Sequence, residues 1–376
     1  MKYCKSCIQP DTRPNTKFTD EGICPACQYF SLLKYVDWQE RYEILDDLLK
    51  QFSRQPGQHF DCIIGVSGGK DSTRQALFVR DRLGLNPLLV SLSYPPQQIT
   101  ECGASNISNL INLGFDVVLS ATAPETWRLL VQESFKKFTN YGRSTELALY
   151  ASVPQLAIRY NIPLIFWGEN PGLQLGDLKT LGRTGYDGNN LRYMNTLSGG
   201  GMDWMLESGF NYRDLLPYMY PTTEEFDAAK IQVVYLGWFM GDWSFETNAA
   251  YSCAKGLEIR EDVVQNTGDP LGAEDLDDDW GSMNQMIKYY KFGFGRSTDY
   301  ANEEIRLGRM SRNEGIQLVE QYDDACSDQY IESFCSYLDI SVSQFWAQVH
   351  ASLNKNLFTL ERDGTIRRKF KVGVGL

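Results

Sequence analysis

The sequence predicts an α/β protein built on a doubly wound parallel sheet, with a cysteine-rich knuckle in front and a mostly helical region behind. Three observations predict it. Apolar runs of strand length alternate with segments of helical spacing between residues 60 and 236. The first run opens directly into a loop of two glycines, two serines, a lysine and an aspartate, Ser67-Gly68-Gly69-Lys70-Asp71-Ser72. Beyond residue 240 strand-like runs give way to helical patterns. The boundaries follow: 1–30 for the knuckle, 31–240 for the sheet domain with a glycine-rich insertion at 168–220, and 241–376 for a C-terminal region that contacts substrate or partner.

The knuckle comes first in the chain. Cys4-Lys5-Ser6-Cys7 and Cys24-Pro25-Ala26-Cys27 are two CxxC pairs separated by residues 8–23. Each turn aims two thiolates at one ion, and two turns complete the tetrahedral shell that zinc favours. Asp11, Pro14, Asn15, Asp20 and Gly22 let the intervening segment fold back. An iron–sulfur cluster competes for the same four thiolates. A closed four-cysteine shell has no open position, so this metal is expected to be structural.

Residues 32–54 carry Leu32, Leu33, Trp38, Tyr42, Leu45, Leu48 and Leu49 at helical spacing, which predicts one helix. Phe60 to Val66 is a near-continuous apolar run, the pattern of a buried parallel strand. The loop that follows enters a helix at Thr73–Val79. Free backbone N–H groups and the helix dipole at such a turn attract anions. Gly68 and Gly69 permit close backbone approach, Ser67 and Ser72 offer hydroxyls, and Lys70 supplies charge. Asp71 would repel a phosphate unless it holds Mg²⁺ or orients a donor. The loop is neither GxxxxGK[ST] nor GxGxxG.

Further strands are expected at 85–94, 115–121, 162–167 and 231–236, and helices at 102–113, 124–138, 144–160 (with Pro154 as a bend) and 222–229, the last capped by Thr223. Ligands of such sheets sit at the carboxyl ends of strands. Gly168-Glu169-Asn170-Pro171 therefore faces the crevice that the first loop faces. Glu169 can bind Mg²⁺ or polarise an incoming amine, and Asn170 can bind substrate. The glycine- and asparagine-rich residues 168–220 suggest a lid. The run Glu274-Asp275-Leu276-Asp277-Asp278-Asp279 is most simply a solvated face. After the turn Phe292–Arg296, a helix is expected to carry Asp299, Glu303, Glu304, Arg306, Arg309 and Arg312. Arg306, Arg309 and Arg312 repeat every third residue, which reads either as a network of surface ion pairs or as a clamp for a carboxylate or diphosphate.

Composition narrows the partners. The 376 residues carry 36 basic and 48 acidic side chains, a formal charge of −12, and 43% are hydrophobic. That charge disfavours nucleic acid as a partner. MKYCKSCIQP lacks the apolar core of a secretory signal, and no apolar run is long enough to span a bilayer, so a cytoplasmic, reducing setting without membrane insertion is expected. Cys62, Cys102, Cys253, Cys326 and Cys335 show no paired spacing, and Cys62 reads as core. His59 and His350 are the only histidines and neither lies in a nucleophile-activating context.

The SGGKDS loop resembles the pyrophosphate-binding loop of the ATP pyrophosphatase (PP-loop) group of the adenine nucleotide alpha-hydrolase superfamily. With the CxxC pairs, the Gly168-Glu169-Asn170 segment and the block KFGFGR…EIRLGRMSRNEG, the chain resembles N-acetyl sugar amidotransferases over nearly all its length, more weakly at 180–215 and 240–280. The resemblance implies ATP, Mg²⁺ and Zn²⁺ as cofactors, and Ser67, Gly68, Gly69, Asp71 and Ser72 on the ATP phosphates and Mg²⁺. It puts adenine near Leu92, Ser93 and Tyr94, with Lys70, Asp71 and Glu169 in catalytic roles. It leaves Asn170, Arg296, Arg306, Arg309 and Arg312 as substrate contacts. It implies conversion of an acetamido group on a nucleotide-linked or nonulosonic sugar to an acetamidino group, in lipopolysaccharide O-antigen or flagellar glycan synthesis. Ammonia would come from a separate glutaminase with a cyclase-like subunit, similar to those of histidine biosynthesis. A zinc-bearing tRNA-thiolating enzyme and a non-catalytic nucleotide-binding scaffold are the alternatives.

Overall fold

The computed structural model describes residues 1–52, 58–174, 176, 185–194 and 197–376. In chain order the elements are α1 (Pro25–Leu33), α2 (Trp38–Lys50), β1 (Cys62–Gly65), α3 (Lys70–Asp81), β2 (Pro87–Ser93), α4 (Glu101–Asn112), β3 (Asp116–Ala121), α5 (Pro124–Phe138), α6 (Gly142–Tyr160) and β4 (Leu164–Trp167). Then come α7 (Pro171–Gln174), α8 (Asp203–Glu207), α9 (Thr223–Ala229), β5 (Gln232–Tyr235), α10 (Phe245–Cys253), α11 (Val264–Thr267), α12 (Gly281–Phe292), α13 (Arg296–Arg306), α14 (Arg312–Tyr322), α15 (Asp328–Leu338), α16 (Val342–Ser352), and a hairpin of β6 (Phe358–Leu360) and β7 (Ile366–Arg368).

The first five strands form one parallel sheet in the order β3-β2-β1-β4-β5. Alternate strand residues point to opposite faces. Ile63, Val90, Ile165 and Val233 pack with α5, α6 and the C-terminal helices α12, α15 and α16. Ile64, Leu89, Phe166 and Val234 pack with α2, α3 and α4. Both faces are covered, which is why these strands read as continuous apolar runs. The sheet is doubly wound, and its direction of winding reverses between β1 and β4. The crevice at that reversal is where such sheets bind ligands.

Three local expectations change. The helix expected over 32–54 is two helices, because Asp37 caps a new start and accepts from the amides of Gln39 and Glu40 at 2.9 and 3.2 Å. The cap of α9 is Thr222, not Thr223, in a reciprocal capping box with Glu225. The arginine-bearing helix is also two: α13 ends at Arg306, and Ser311 caps α14. Arg306, Arg309 and Arg312 therefore do not share one helical face. The 168–220 segment contains short helices and turns where described, while 175, 177–184 and 195–196 lie outside the described residues.

The largest correction concerns the acidic run. It is not a solvated face but a strap laid across the carboxyl end of the sheet. Arg260 donates to the carbonyls of Asp275 and Asp278 at 2.7 Å each, and Asp279 donates from its amide to Gln98 O at 2.9 Å. Thr100 donates from its hydroxyl to Leu276 O. The strap fits only because residue 103, in the first turn of α4, has no side chain: a Cβ there would lie 2.5 Å from Asp277 Cα. Gly103→Ala should therefore force the strap away and destabilise the fold by about 1–3 kcal/mol, read as a lower melting temperature, with an unchanged one overturning the contact.

Candidate active site

A cavity of about 490 Å³ opens at the switch point. Its floor is the phosphate loop, with Ser67, Gly69, Lys70, Asp71 and Ser72 on the lining, and Glu169 reaches it from the loop after β4. Both predicted loops thus meet in one crevice. Gly68 lies behind the lining with φ +79°, and a Cβ there would sit 3.1 Å from Gly103 O. Its glycine identity lets the loop turn tightly against α4.

Lys70 is buried and does not stand alone. Its Nζ pairs with Asp71 Oδ2 at 3.1 Å and with Glu274 from the acidic strap, and lies 4.9 Å from the centre of the Phe245 ring. Burial works against the ammonium, but Asp71 and Glu274 outweigh it and hold its pKa above the ordinary lysine value. Helix α10 locks this corner. Ser252 donates to Lys70 O at 2.7 Å, and Asn248 donates to Asp71 while accepting from Arg74.

The strap adds more charge. Glu274, Asp275, Asp277 and Asp278 all line the cavity. Burial, then the neighbouring Asp278 and Asp275, push Asp277 up to about 8. Burial raises Asp278 to about 6, with Asp275 adding to it, while Tyr141 donates to its Oδ2 at 2.8 Å. Burial raises Glu274 to about 7 against the pull of Lys70. Glu169 is raised to about 6, chiefly by burial; Tyr150 donates to it at 3.3 Å, and the Tyr150 ring stacks on Trp167 at 5.0 Å. Tyr94 also lines the cavity. The walls thus combine aromatic faces with carboxylates around one lysine.

Other predicted residues sit elsewhere. Ser93 does not line the cavity, because the strand alternation gives that position to Tyr94. Asn170 is buried, donates to Gly237 O at 3.2 Å and accepts from the Leu173 amide at 3.2 Å, so it holds the turn into α7. Arg296 pairs with Asp275 beneath the strap. Arg309 pairs with Glu304 at 2.7 Å and Glu246 at 3.2 Å. Arg306 donates to Leu173 O at 3.2 Å, and Arg312 donates to Cys7 O, Cys4 O and Gly373 O at 3.1, 3.4 and 2.8 Å. The structure does not bring these arginines together on the cavity. Sequence reasoning missed Glu274, Asp277, Asp278 and Asn248; clustered acids beside an apolar Leu276 and Trp280 were the available signal.

The four knuckle cysteines are buried, and their Sγ atoms all lie within 4.8 Å of one another, Cys7 and Cys24 at 3.7 Å. A tetrahedral ion with bonds of about 2.3 Å needs sulfurs roughly 3.8 Å apart, so a single ion fits. A polynuclear cluster spreads its thiolates over several irons and needs a wider cage. No other group of three metal-binding side chains converges among the described residues. Any Mg²⁺ held by Asp71 would therefore depend on ligand oxygens and water for the rest of its shell.

Residues 274–371 match the description "LPS biosynthesis protein WbpG-like, C-terminal domain". This segment is similar to that domain. The match begins at Glu274, so the matched segment supplies the strap that pairs with the phosphate-loop lysine. No curated protein matches the chain. Among solved structures, the NH3-dependent NAD synthetase from Campylobacter jejuni subsp. jejuni NCTC 11168, in complex with the nitrate ion, is similar at 14% identity and a TM-score of 0.28, over 61% of this chain and all of that one. A likeness that weak adds nothing to the strand order in defining the fold. Among the described residues no helix is long and apolar enough to cross a membrane.

The raised carboxylates carry a pH signature. Folded pKa values above the unfolded ones mean the protein holds these protons more tightly than the unfolded chain does. That contribution to stability is complete below the ordinary carboxylate range and is lost as pH rises through about 6 to 8. The melting temperature should fall between about pH 5.5 and 8.5, less steeply in Asp277→Asn. A variant as steep as wild type would show that Asp277 is not the buried acid described.

Proposed function

We propose that the chain is an ATP-dependent amidotransferase of lipopolysaccharide synthesis, converting an acetamido group of a nucleotide-linked or nonulosonic sugar to an acetamidino group and releasing AMP and pyrophosphate. The observation that carries this is the Lys70–Glu274 pair: the phosphate loop and the WbpG-like segment build one cavity together. The loop's strand-to-helix setting suits a PP-loop pyrophosphate site, and Tyr94, Tyr150 and Trp167 offer apolar faces to a base.

An acetamido carbon is a poor electrophile with a poor leaving group. The amide oxygen attacks the alpha phosphate, pyrophosphate leaves, and the nitrogen loses its proton to give an O-adenylyl imidate. Ammonia adds at the carbon and AMP departs, leaving the amidine. Ser67, Gly69 and the α3 N-terminus bind the phosphates, and Lys70 faces the charge of the departing pyrophosphate. Asp71 would hold Mg²⁺, which would offset the same charge. Glu169, raised to about 6, is largely ionised at neutral pH and accepts the proton given up by nitrogen. The four knuckle cysteines hold zinc, which braces the knuckle against α13 and α14 and stays outside the chemistry.

Ammonia comes from a partner glutaminase with a cyclase-like subunit. In support, no cysteine or histidine is on the cavity lining, and His59 is exposed. The same absence speaks against thiolation chemistry.

Two outcomes are expected. With ATP and an acetamido-sugar panel, the pure chain should form amidine and AMP with ammonium salts and neither with glutamine alone, and Asp71→Asn should lose AMP formation while keeping its fold, all read by mass spectrometry and melting. Glutamine use by the chain alone would overturn the partner assignment. Purified protein should contain one zinc per chain, and iron or substoichiometric metal would remove the zinc assignment.

A further inference from the structure

Three of the four knuckle sulfurs accept a backbone N–H. Cys4 takes the amide of Cys24 at 3.2 Å, Cys7 that of Gln9 at 3.4 Å, and Cys24 that of Cys27 at 3.5 Å. Among the described residues Cys27 takes none. Such bonds matter at a metal site, because four thiolates around one divalent ion leave two negative charges to be spread over their surroundings. The knuckle is short of one donor, at Cys27.

Arg306 lies where that donor is needed. Its Nε is buried and without a partner, and a buried N–H calls for an acceptor. Burial apart, the groups that act most on its charge are the thiols of Cys7 and Cys27, followed by Glu303. Glu303, one turn earlier on α13, is turned to the Phe245 amide, and no carboxylate pairs with Arg306 among the described residues. The preceding residue, Ile305, packs against the four cysteines. Arg312, the other arginine at the knuckle, gives its donors to the carbonyls of Cys7, Cys4 and Gly373. The far end of the Arg306 guanidinium, Nη2, donates to Leu173 O at 3.2 Å. Leu173 belongs to α7, which opens directly after Glu169 and Asn170, and its amide donates to Asn170 O at 3.0 Å. Helix α1, whose first turn carries Cys27, packs on α7.

We infer that Arg306 completes the metal knuckle: its Nε donates to the Cys27 thiolate, its charge offsets part of the excess negative charge, and its Nη2 ties the knuckle to the turn that carries Glu169. Neutral thiols would leave the Nε unused, whereas thiolates on an ion are the acceptor it lacks. Arg306 is thus a positioning residue at both ends. It orients a metal ligand on one side and steadies α7, next to Glu169, on the other. The inference rests on the zinc reading of the knuckle, and it links that metal to the cavity without giving it a part in the chemistry.

The test uses the full chain carrying Co²⁺ in place of zinc, whose thiolate-to-metal charge-transfer bands report hydrogen bonds to sulfur. Arg306→Met should shift those bands and lose its metal to a chelator at least about tenfold faster than wild type. Arg309→Met should match wild type in both, because Arg309 pairs with Glu304 and Glu246. Arg306→Lys keeps the charge without the planar fork. It should shift the bands and lose metal less quickly than Arg306→Met, and it carries the test if Arg306→Met does not fold. In either Arg306 variant the amides of residues 170–173 should exchange hydrogen at least about tenfold faster. The inference is overturned if the Arg306 variants keep the wild-type bands and metal, if Arg309→Met alters them equally, or if exchange at 170–173 is unchanged. A wild-type chain without tetrathiolate bands would remove the zinc reading, and this inference with it. Wild-type bands that Arg306 does not influence would remove this inference alone.

Discussion

The pairing of Lys70 with Asp71 and Glu274 is the interaction on which the rest of the site depends. A buried ammonium without a partner is strongly destabilising, and one that is paired draws its partners to it. Glu274 lies 204 positions away in the chain. Its pairing commits the strap to the carboxyl end of the sheet and closes the cavity on that side. Helix α10 reinforces the same corner through Asn248 and Ser252. The charge that suits an anion is therefore already satisfied inside the protein, and a phosphate bound as proposed would compete with Glu274 for Lys70. Glu274, raised to about 7, can give up its charge near neutral pH when that happens.

Two adjoining cavities divide the charge between them. Carboxylates gathered around the phosphate loop are poor company for a polyanion unless a divalent cation comes with it, so the nucleotide binding proposed here would depend on the metal. The neighbouring cavity is lined instead by Arg13, Arg143, Lys288 and Lys291. A protein with a formal charge of −12 thus confines its attraction for anions to a cleft, where low-dielectric walls strengthen it.

The knuckle is held by the chain's far end. Ile8 donates from its amide to Asn302 Oδ1 at 3.0 Å, Arg312 donates to two knuckle carbonyls, and Leu376 donates to Met1 O at 3.2 Å. Four buried thiols supply too little apolar area for an independent core. They are held by α13 and α14, where Asn302 accepts from the Ile8 amide and Arg312 donates to the Cys4 and Cys7 carbonyls.

The sequence by itself determined the sheet, the phosphate loop and the cysteine cluster, because each is encoded locally. Strands covered on both faces must be apolar throughout, a loop that meets phosphates must carry glycine and hydroxyls at fixed offsets, and CxxC turns set two ligands with one backbone geometry. Glu169 was legible for a similar reason, since a residue just after a parallel strand sits at the strand's carboxyl end. Only the tertiary structure decided the rest. Nothing in Glu274–Asp279 says whether acids face water or a lysine two hundred residues away; that depends on which segment crosses the sheet, and Gly103 leaves the room for it. Strand alternation gave the cavity Tyr94 in place of Ser93. The arginines at 306, 309 and 312 kept their regular spacing while a helix break at residues 307–311 turned them to separate partners. Spacing fixes direction only within one unbroken element, and long-range pairing fixes everything between elements.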